Sequence, residues 1–231
     1  NLSAGSLSNQ NSGSIVQAGT GTTTLNVSGA LVNNQGTIAS NGAITANAGS
    51  MANQGGKLQA AGTSDLNLTV ANQLDNSAGG QLLAGGNATV QAGSLKNDAG
   101  NLTAVGNLNA TVSGAAANVG GTLAANGNTT VAAASLDNSA GTTAAVNGNL
   151  AVTTTGTTTT TGGTLQAGGT TTLSNGGLSS AGGKIFGNSL SIDTHGNALD
   201  NSAKGTIAAT TTVDVKSGAL NNDTGLVQSG G

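Results

Sequence analysis

The stretch Leu31-Val32-Asn33-Asn34-Gln35-Gly36-Thr37-Ile38 contains the pattern Leu-x-Asn-x-x-Gly-x-Ile/Leu, which is repeated along the chain. It occurs again at Leu95-Lys96-Asn97, with Gly100 and Leu102 in the same places. When the first apolar residue is taken as an anchor, the anchors of eleven units are Leu7, Leu31, Met51, Leu74, Leu95, Ala116, Leu136, Thr158, Leu178, Leu199 and Leu220. The first and last anchors are 213 residues and ten steps apart, so the mean repeat is about 21.3 residues. A repeat of this length is typical of solenoid proteins.

Asn and Gly recur at nearly fixed distances from the anchor. Two positions after it stand Asn9, Asn33, Asn53, Asn76, Asn97, Asn118, Asn138, Asn201 and Asn222, with Thr160 and Ser180 as the exceptions. Five or six positions after it stand Gly13, Gly36, Gly56, Gly79, Gly100, Gly121, Gly141, Gly163, Gly183, Gly205 and Gly225. Further glycines recur about two residues before the anchor and, more loosely, about eleven residues after it.

Within each unit, apolar residues alternate with Thr, Ser, Asn and Ala, as in Leu66-Asn67-Leu68-Thr69-Val70. This period of two predicts strands with one buried face. Three short strands separated by three glycine-bearing bends make one coil, and stacked coils form parallel sheets around a narrow core. The sequence therefore predicts an all-β fold, a parallel β-helix of about eleven rungs, which extends over residues 1–231 as a single segment. At about 4.8 Å per rung, the rod is roughly 50 Å long.

The composition supports this fold and argues against several other classes. The 231 residues include 40 Gly and one Phe, without Pro, Cys, Trp or Tyr, and 6% are charged, with a net charge of −3. The scarcity of aromatic residues is unlike a conventional globular core, and the absence of Cys excludes disulfides and Cys-ligated metals. A slightly acidic chain without Arg lacks the basic surface of a nucleic-acid-binding protein. Although disorder is an alternative for this composition, 35% hydrophobic residues and the lack of Pro favour a hydrogen-bonded fold.

Neither a membrane-spanning stretch nor a signal peptide is predicted. No run reaches the roughly 18 apolar residues that a membrane span needs. The first residues lack a basic stretch followed by an apolar run. Since the repeat is already in progress at both termini, the sequence predicts an internal fragment of a longer protein.

The repeated Asn and Gly positions predict structural roles. The preferred interpretation of the Asn positions is a ladder of stacked side-chain amides at a turn, each bonded to the next coil. The alternative is a polar strip that binds a ligand. The repeated glycines are predicted at the bends because glycine adopts positive φ angles without steric cost.

No residue is predicted to be catalytic, to bind a cofactor or to ligate a metal. His195 has only Asp193 nearby as a partner, and it is predicted to be an exposed turn residue. Asp75 and Lys96 fall at the same position of neighbouring coils and could pair across about 5 Å, with a contribution of about 0–1 kcal/mol. Asp137 and Asp200 share this position on non-adjacent coils. Calcium-binding β-rolls need Gly-Gly-x-Gly-x-Asp repeats, which do not occur.

Threonine is clustered in runs, and one unit is irregular. The runs are Thr22–Thr24, Thr129–Thr130, Thr153–Thr155, Thr157–Thr161, Thr170–Thr172 and Thr210–Thr212. Regular threonine arrays on solenoids bind ice, but these runs drift in phase relative to the anchor. The preference of threonine for exposed strand positions explains them better.

The stretch from Thr153 to Gly163 lacks both the apolar anchor and the Asn, which predicts a distorted or poorly packed coil. Longer steps after Leu7 and Met51 predict bulges or loop extensions of one to three residues in those coils, placed at bends.

The repeat resembles that of the filamentous haemagglutinin family. The closest stretches are Gly36-Thr37-Ile38-Ala39-Ser40-Asn41-Gly42 and Gly80-Gln81-Leu82-Leu83-Ala84-Gly85-Gly86. This resemblance covers nearly the whole chain and implies a right-handed parallel β-helix filament, exported by two-partner secretion to the surface of a Gram-negative bacterium. Members are adhesins for host cells, or the sticks of contact-dependent growth-inhibition toxins. The family's secretion domain contains Asn-Pro motifs, which this chain without Pro lacks.

The resulting interpretation is a structural rod, the shaft of a secreted adhesin or growth-inhibition toxin stick, and not an enzyme. The implied partners are an outer-membrane two-partner-secretion transporter during export and a receptor, protein or glycan, on a host or neighbouring cell. Neither nucleic-acid binding nor membrane insertion is expected of this segment. The alternatives are a carbohydrate-active β-helix enzyme, which needs acidic residues on adjacent coils, and an ice- or glycan-binding threonine face.

Overall fold

The computed structural model describes all 231 residues and consists of 29 β-strands without a helix. It therefore contains no helix long and apolar enough to cross a membrane. The strands, numbered in chain order, form one sheet of eleven strands and one of eighteen, and all pairings are parallel. The predicted parallel β-helix is confirmed, with eleven coils of about 21 residues.

Each coil contributes one strand to the eleven-stranded sheet. These strands are β3 (Ser14–Gln17), β5 (Thr37–Ser40), β7 (Lys57–Ala60), β9 (Gln81–Ala84), β11 (Asn101–Ala104), β14 (Thr122–Ala125), β17 (Thr142–Ala145), β20 (Thr164–Ala167), β23 (Lys184–Gly187), β26 (Thr206–Ala209) and β29 (Leu226–Ser229).

The eighteen-stranded sheet contains the two remaining segments of every coil. In coils two to five they are joined into the long strands β4 (Thr23–Val32), β6 (Ile44–Ala52), β8 (Leu66–Asp75) and β10 (Ala88–Lys96). In the other coils they are separate: β1 (Leu2–Ala4), β2 (Leu7–Ser8), β12 (Leu108–Val112), β13 (Ala115–Ala117), β15 (Thr129–Ala133), β16 (Ser135–Asp137), β18 (Leu150–Thr154), β19 (Thr158–Thr159), β21 (Thr170–Asn175), β22 (Leu178–Ser179), β24 (Ser189–Asp193), β25 (Ala198–Asp200), β27 (Val213–Lys216) and β28 (Ala219–Asn221).

The alternating pattern of the sequence sorts each strand into an inward and an outward face. In β11, Leu102 and Ala104 point into the core, while Asn101 and Thr103 point outward. Leu102 is fully buried, and so are the residues aligned with it, Leu82 on the preceding coil and Leu123 on the following one. Burying one leucine contributes about 1.5–3 kcal/mol, so a column of them stabilises the stack along its whole length.

The longer repeat steps correspond to extended bends, as the sequence predicts. Residues 41–43 connect β5 to β6, whereas residues 18–22 connect β3 to β4 and residues 61–65 connect β7 to β8. Both five-residue bends lie between the two sheets, and β4 and β8 each take up one further residue in a bulge, after Val27 and after Val70, where their register with β6 shifts. The extra residues are therefore accommodated in bends and bulges.

The repeated glycines lie at bends, but the predicted reason for most of them is wrong. Gly36 does not have a positive φ angle; instead, a β-carbon on it would lie 1.7 Å from the backbone oxygen of Asn9 on the preceding coil. The left-handed residue of this turn is Gln35, with φ of 57°. In the fourth coil the close approach occurs at Gly80, not at Gly79, because this turn contains one more residue. The glycine column is thus required by the tight stacking of turns.

The irregular unit at Thr153–Gly163 differs from the others in its core rather than in its backbone. Its strands β18 and β19 pair in register with both neighbouring coils, so the backbone is not displaced there. The side chains of Thr154 and Thr158 are buried where other coils place Val, Ala or Leu. This coil therefore has a more polar core than the coils before it.

Candidate functional site

The Asn residues of the repeat form a hydrogen-bonded column along one corner of the rod. The Nδ2 atom of Asn97 donates to Oδ1 of Asn118 at 2.7 Å, and Asn97 Oδ1 accepts from Asn76 Nδ2 at 2.7 Å. The same bond joins each Asn to the next from Asn9 to Asn138, and again from Asn201 to Asn222. We call this column the Asn ladder; its members are Asn9, Asn33, Asn53, Asn76, Asn97, Asn118, Asn138, Asn201 and Asn222.

Every ladder amide except the terminal Asn9 and Asn222 also binds the backbone of two coils. Asn97 Nδ2 donates to the carbonyl of Gly100 in its own turn at 3.2 Å and to that of Thr122 in the following coil at 3.0 Å. The Asn97 side chain is fully buried. Because the amide atoms lie inside the rod and are used within it, they cannot face a ligand in this conformation. The geometry favours the structural interpretation of these residues over a polar binding strip.

The ladder is interrupted in the eighth and ninth coils. Asn138 Nδ2 donates to the hydroxyl of Thr160 at 3.1 Å, where the other coils offer an amide oxygen. In the next coil the position is taken by Ser180, whose buried Oγ has no partner within the protein. Asn201 Oδ1, one coil further on, is likewise buried and without a partner. The Ser180 departure therefore coincides with two unsatisfied polar atoms, whereas Thr160 Oγ1 still accepts a hydrogen bond.

The repeated aspartates accept hydrogen bonds from residues of their own turns. Oδ1 of Asp75 accepts from both the backbone N–H and the hydroxyl of Ser77, at 3.0 and 2.6 Å, and Asp137 repeats both bonds with Ser139. The proposed ion pair between Asp75 and Lys96 is not formed, although the two residues are neighbours in register. Oδ2 of Asp75 instead accepts from Gln54 Nε2 at 2.8 Å.

His195 lies in an exposed turn, where the sequence places it. Its φ angle is 51°, and its backbone N–H donates to Asp193 Oδ1 at 2.7 Å. The ring nitrogens face the backbone oxygen of Asn175 and the hydroxyl of Ser174, at 3.3 and 3.5 Å. No group of three or more His, Cys, Asp or Glu side chains is placed to hold a metal ion.

Comparison with protein-family models gives the strongest functional evidence. The model of the haemagglutinin repeat matches residues 1–78, 65–120, 108–157, 125–202 and 186–231, and these matches together span the whole chain. The chain belongs to the haemagglutinin repeat family. The resemblance seen in the repeat sequence is thereby confirmed. Neither the curated proteins nor the solved structures contain a match.

The haemagglutinin repeat chain contains a second Asn column that the sequence analysis missed. Its members, at the bend after the eleven-stranded sheet, are Asp65, Asn87, Asn107, Asn128 and Asn149. The Oδ1 atom of each accepts the backbone N–H of the residue one coil on, at 2.7–2.9 Å. The sequence signal was available, since each of the four Asn residues directly follows Gly. These side chains hydrogen-bond the exposed bends of neighbouring coils to one another.

The threonine runs of this haemagglutinin repeat chain do not form one continuous array, since Thr130 and Thr172 share a position but Ala151 lies between them on the intervening coil. Thr129–Thr130 begin β15, whereas Thr153–Thr155 lie at the end of β18 and in the bend after it. Thr210–Thr212 lie in the bend between β26 and β27. Since strand residues alternate between faces, Thr129 is buried while Thr130 is exposed. The runs are therefore spread over different parts of the surface.

The outer surface of the haemagglutinin repeat coils carries few charged side chains and consists mostly of small residues. A shallow groove follows the bend between the first two segments of the coils, and Asn47, Thr69, Gln91 and Thr111 are among the uncharged residues that line it. The exposed Val105 and Val146 lie two coils apart and do not form a patch. What the arrangement provides is a long regular surface without a concentrated chemical site.

Proposed function

We propose that this chain is a section of the shaft of a secreted, filamentous adhesin on the bacterial surface, which holds a binding or toxic element away from the cell. The observation that carries this proposal is the unbroken stacking of eleven coils, each hydrogen-bonded to its neighbours by strands. In such a stack, stability is approximately the sum of the contributions of single coils and of contacts between neighbours. The membership in the haemagglutinin repeat family supports the same role.

The mechanism of such a shaft is mechanical. Parallel strands resist sliding because a shift would break the backbone hydrogen bonds of both sheets together, and the leucine columns resist separation of the coils. We propose that export uses an outer-membrane two-partner-secretion transporter and that the full-length protein contacts a receptor on another cell. The shaft itself is proposed to be non-enzymatic.

The test uses the intact exoprotein on its own bacterium. Changing the outward-facing Thr89, Asn109 and Thr130 together to Ala should leave adhesion or growth inhibition unchanged, because a shaft acts through its length. Insertion or removal of whole coils in the same protein should alter the distance over which it acts. Loss of adhesion in the triple variant, with an unchanged melting temperature, would instead show that this section binds the receptor itself.

The sequence of the full-length chain would distinguish the shaft of an adhesin from that of a growth-inhibition toxin. A toxin module with its own composition at the C-terminus of that chain would assign contact-dependent growth inhibition. A binding module in its place would assign adhesion. Sequencing and deleting that module, followed by measurement of adhesion and of inhibition of neighbouring cells, distinguishes them.

A further inference from the structure

The buried polar atoms that lack a partner within the protein are confined to one section of the rod. They are Asn175 Oδ1, Ser180 Oγ and Asn201 Oδ1. Ser180 and Asn201 occupy the Asn ladder position of the ninth and tenth coils, since the adjacent Ser179 and Asp200 are aligned in register. Their two unpartnered atoms therefore lie at the same corner of neighbouring coils.

The intact part of the Asn ladder shows which group is missing there. Asn97 Nδ2 donates to three oxygens, which belong to the next Asn, to the glycine of its own turn and to the first strand residue of the next coil. For the ninth coil, the corresponding acceptors are Asn201 Oδ1 and the carbonyls of Gly183 and Thr206. Serine is shorter than asparagine and has no amide nitrogen, so this donor is absent.

The serine hydroxyl replaces the amide oxygen rather than the amide nitrogen. A β-carbon placed on Gly183 would lie 3.1 Å from Ser180 Oγ, and one placed on Gly100 would lie 2.7 Å from Asn97 Oδ1. The two oxygens thus occupy similar places relative to the turn glycine. The place that the nitrogen holds in the other coils is bordered by Asn201 Oδ1, Ser180 Oγ and backbone carbonyls.

We propose that a single buried water molecule binds at this place and continues the Asn ladder. It would accept a hydrogen bond from the Ser180 hydroxyl, and it would donate one to Asn201 Oδ1 and one to a backbone carbonyl. Three hydrogen bonds are usual for a buried water, and polar surroundings of this kind are where such waters bind. Water supplies the donor that Asn201 Oδ1 requires, whereas a cation would leave the serine hydroxyl hydrogen without an acceptor.

The direct test is a high-resolution crystal structure of the chain. The expected result is one water within hydrogen-bonding distance of both Ser180 Oγ and Asn201 Oδ1. Three results would overturn the proposal: a direct hydrogen bond between the two side chains, no density between them, or density that refines as a metal ion.

Two substitutions test whether the serine at the ladder position is the reason that a water binds there. S180N should displace the water and raise the melting temperature by about 2 to 4 °C, because it restores a donor that is part of the chain. Persistence of the water in the S180N structure would contradict the assigned place. The matched control is N97S in the intact ladder, which removes the donor to Asn118 Oδ1 and should create an equivalent water in the fifth coil. Failure of N97S to bind one, in a protein that still folds, would also count against the proposal.

Discussion

At the scale of single residues, the chain uses side chains mainly to satisfy its own backbone. The Asn ladder places polar amides in a buried corner, where a donor or acceptor without a partner costs about 1–3 kcal/mol. The ladder position is occupied in every coil by a side chain that can both donate and accept: Asn in nine coils, and Thr160 and Ser180 in the other two. The Asp-Asn-Ser sequences around Asp75 and Asp137 add a second set of bonds that hold the same turns.

Removal of one ladder amide should destabilise the rod without affecting any binding property. The Asn97→Ala substitution leaves Asn76 Nδ2 and Asn118 Oδ1 without their side-chain partner, and we expect a loss of about 1–3 kcal/mol in unfolding free energy. Denaturant unfolding measures it. The control is Asn109→Ala on the exposed face of β12, which should cost less than about 0.5 kcal/mol. A stable Asn97→Ala protein that has lost a binding activity would refute the structural interpretation.

Two adjacent glycines should differ sharply in their tolerance of alanine. A β-carbon on Gly121 would lie 2.1 Å from the backbone oxygen of Asn97, so Gly121→Ala should cost about 3 kcal/mol or more. Gly120 has φ of 61° and open space around it, and Ala99 and Ala140 adopt the same conformation in neighbouring coils. Gly120→Ala should therefore cost only about 1 kcal/mol. Thermal unfolding of both variants tests this, and equal costs would be inconsistent with the stacking explanation.

At the scale of the element, one coil differs from its neighbours only in what its strands bury. Strands β18 and β19 keep their register although Thr154 and Thr158 are buried beside the apolar Leu150 and Val152. Thr154, Thr158 and Asn175 form a buried hydrogen-bonded group there, and Asn175 Oδ1 lacks a partner within it. This arrangement buries less apolar surface than the leucine and valine columns.

We expect faster local opening in the eighth coil than in the fifth. Backbone amides of β18 and β19 should exchange with solvent faster than those of β10 and β11, because local stability follows the buried apolar contacts. Hydrogen exchange measured by mass spectrometry compares the two coils within one sample, so the fifth coil is the internal control. Uniform protection across residues 153–163 would show that the polar core does not weaken the coil.

At the scale of the whole molecule, the repeat makes the rod modular. Asn97 and Asn118 occupy equivalent positions, so deletion of residues 98–118 removes one complete coil and joins two compatible ends. The shortened chain should fold and lose one coil spacing of about 4.8 Å in length. Small-angle X-ray scattering measures the length, and circular dichroism measures the strand content.

A deletion of half a coil provides the control for this prediction. Removal of residues 98–108 alone deletes β11 and joins the turn after β10 directly to β12 of the same sheet, so the following coils can no longer stack in register. We expect this variant to lose cooperative unfolding. If it were as stable as the whole-coil deletion, the repeat would not be the unit of stability.

The sequence by itself determines the solenoid, because a period of about 21 residues with alternating strands and spaced glycines is compatible with few other folds. It also locates the Asn positions, since a ladder requires the same residue at the same phase. Other features depend on contacts between coils, which no single unit contains. The close approach of Asn9 to Gly36, the competition of Gln54 for Asp75 and the unpartnered Ser180 and Asn201 all arise from the neighbouring coil. Only the stacked structure decides these, because their hydrogen bonds and steric limits join residues about 20 positions or more apart in the chain.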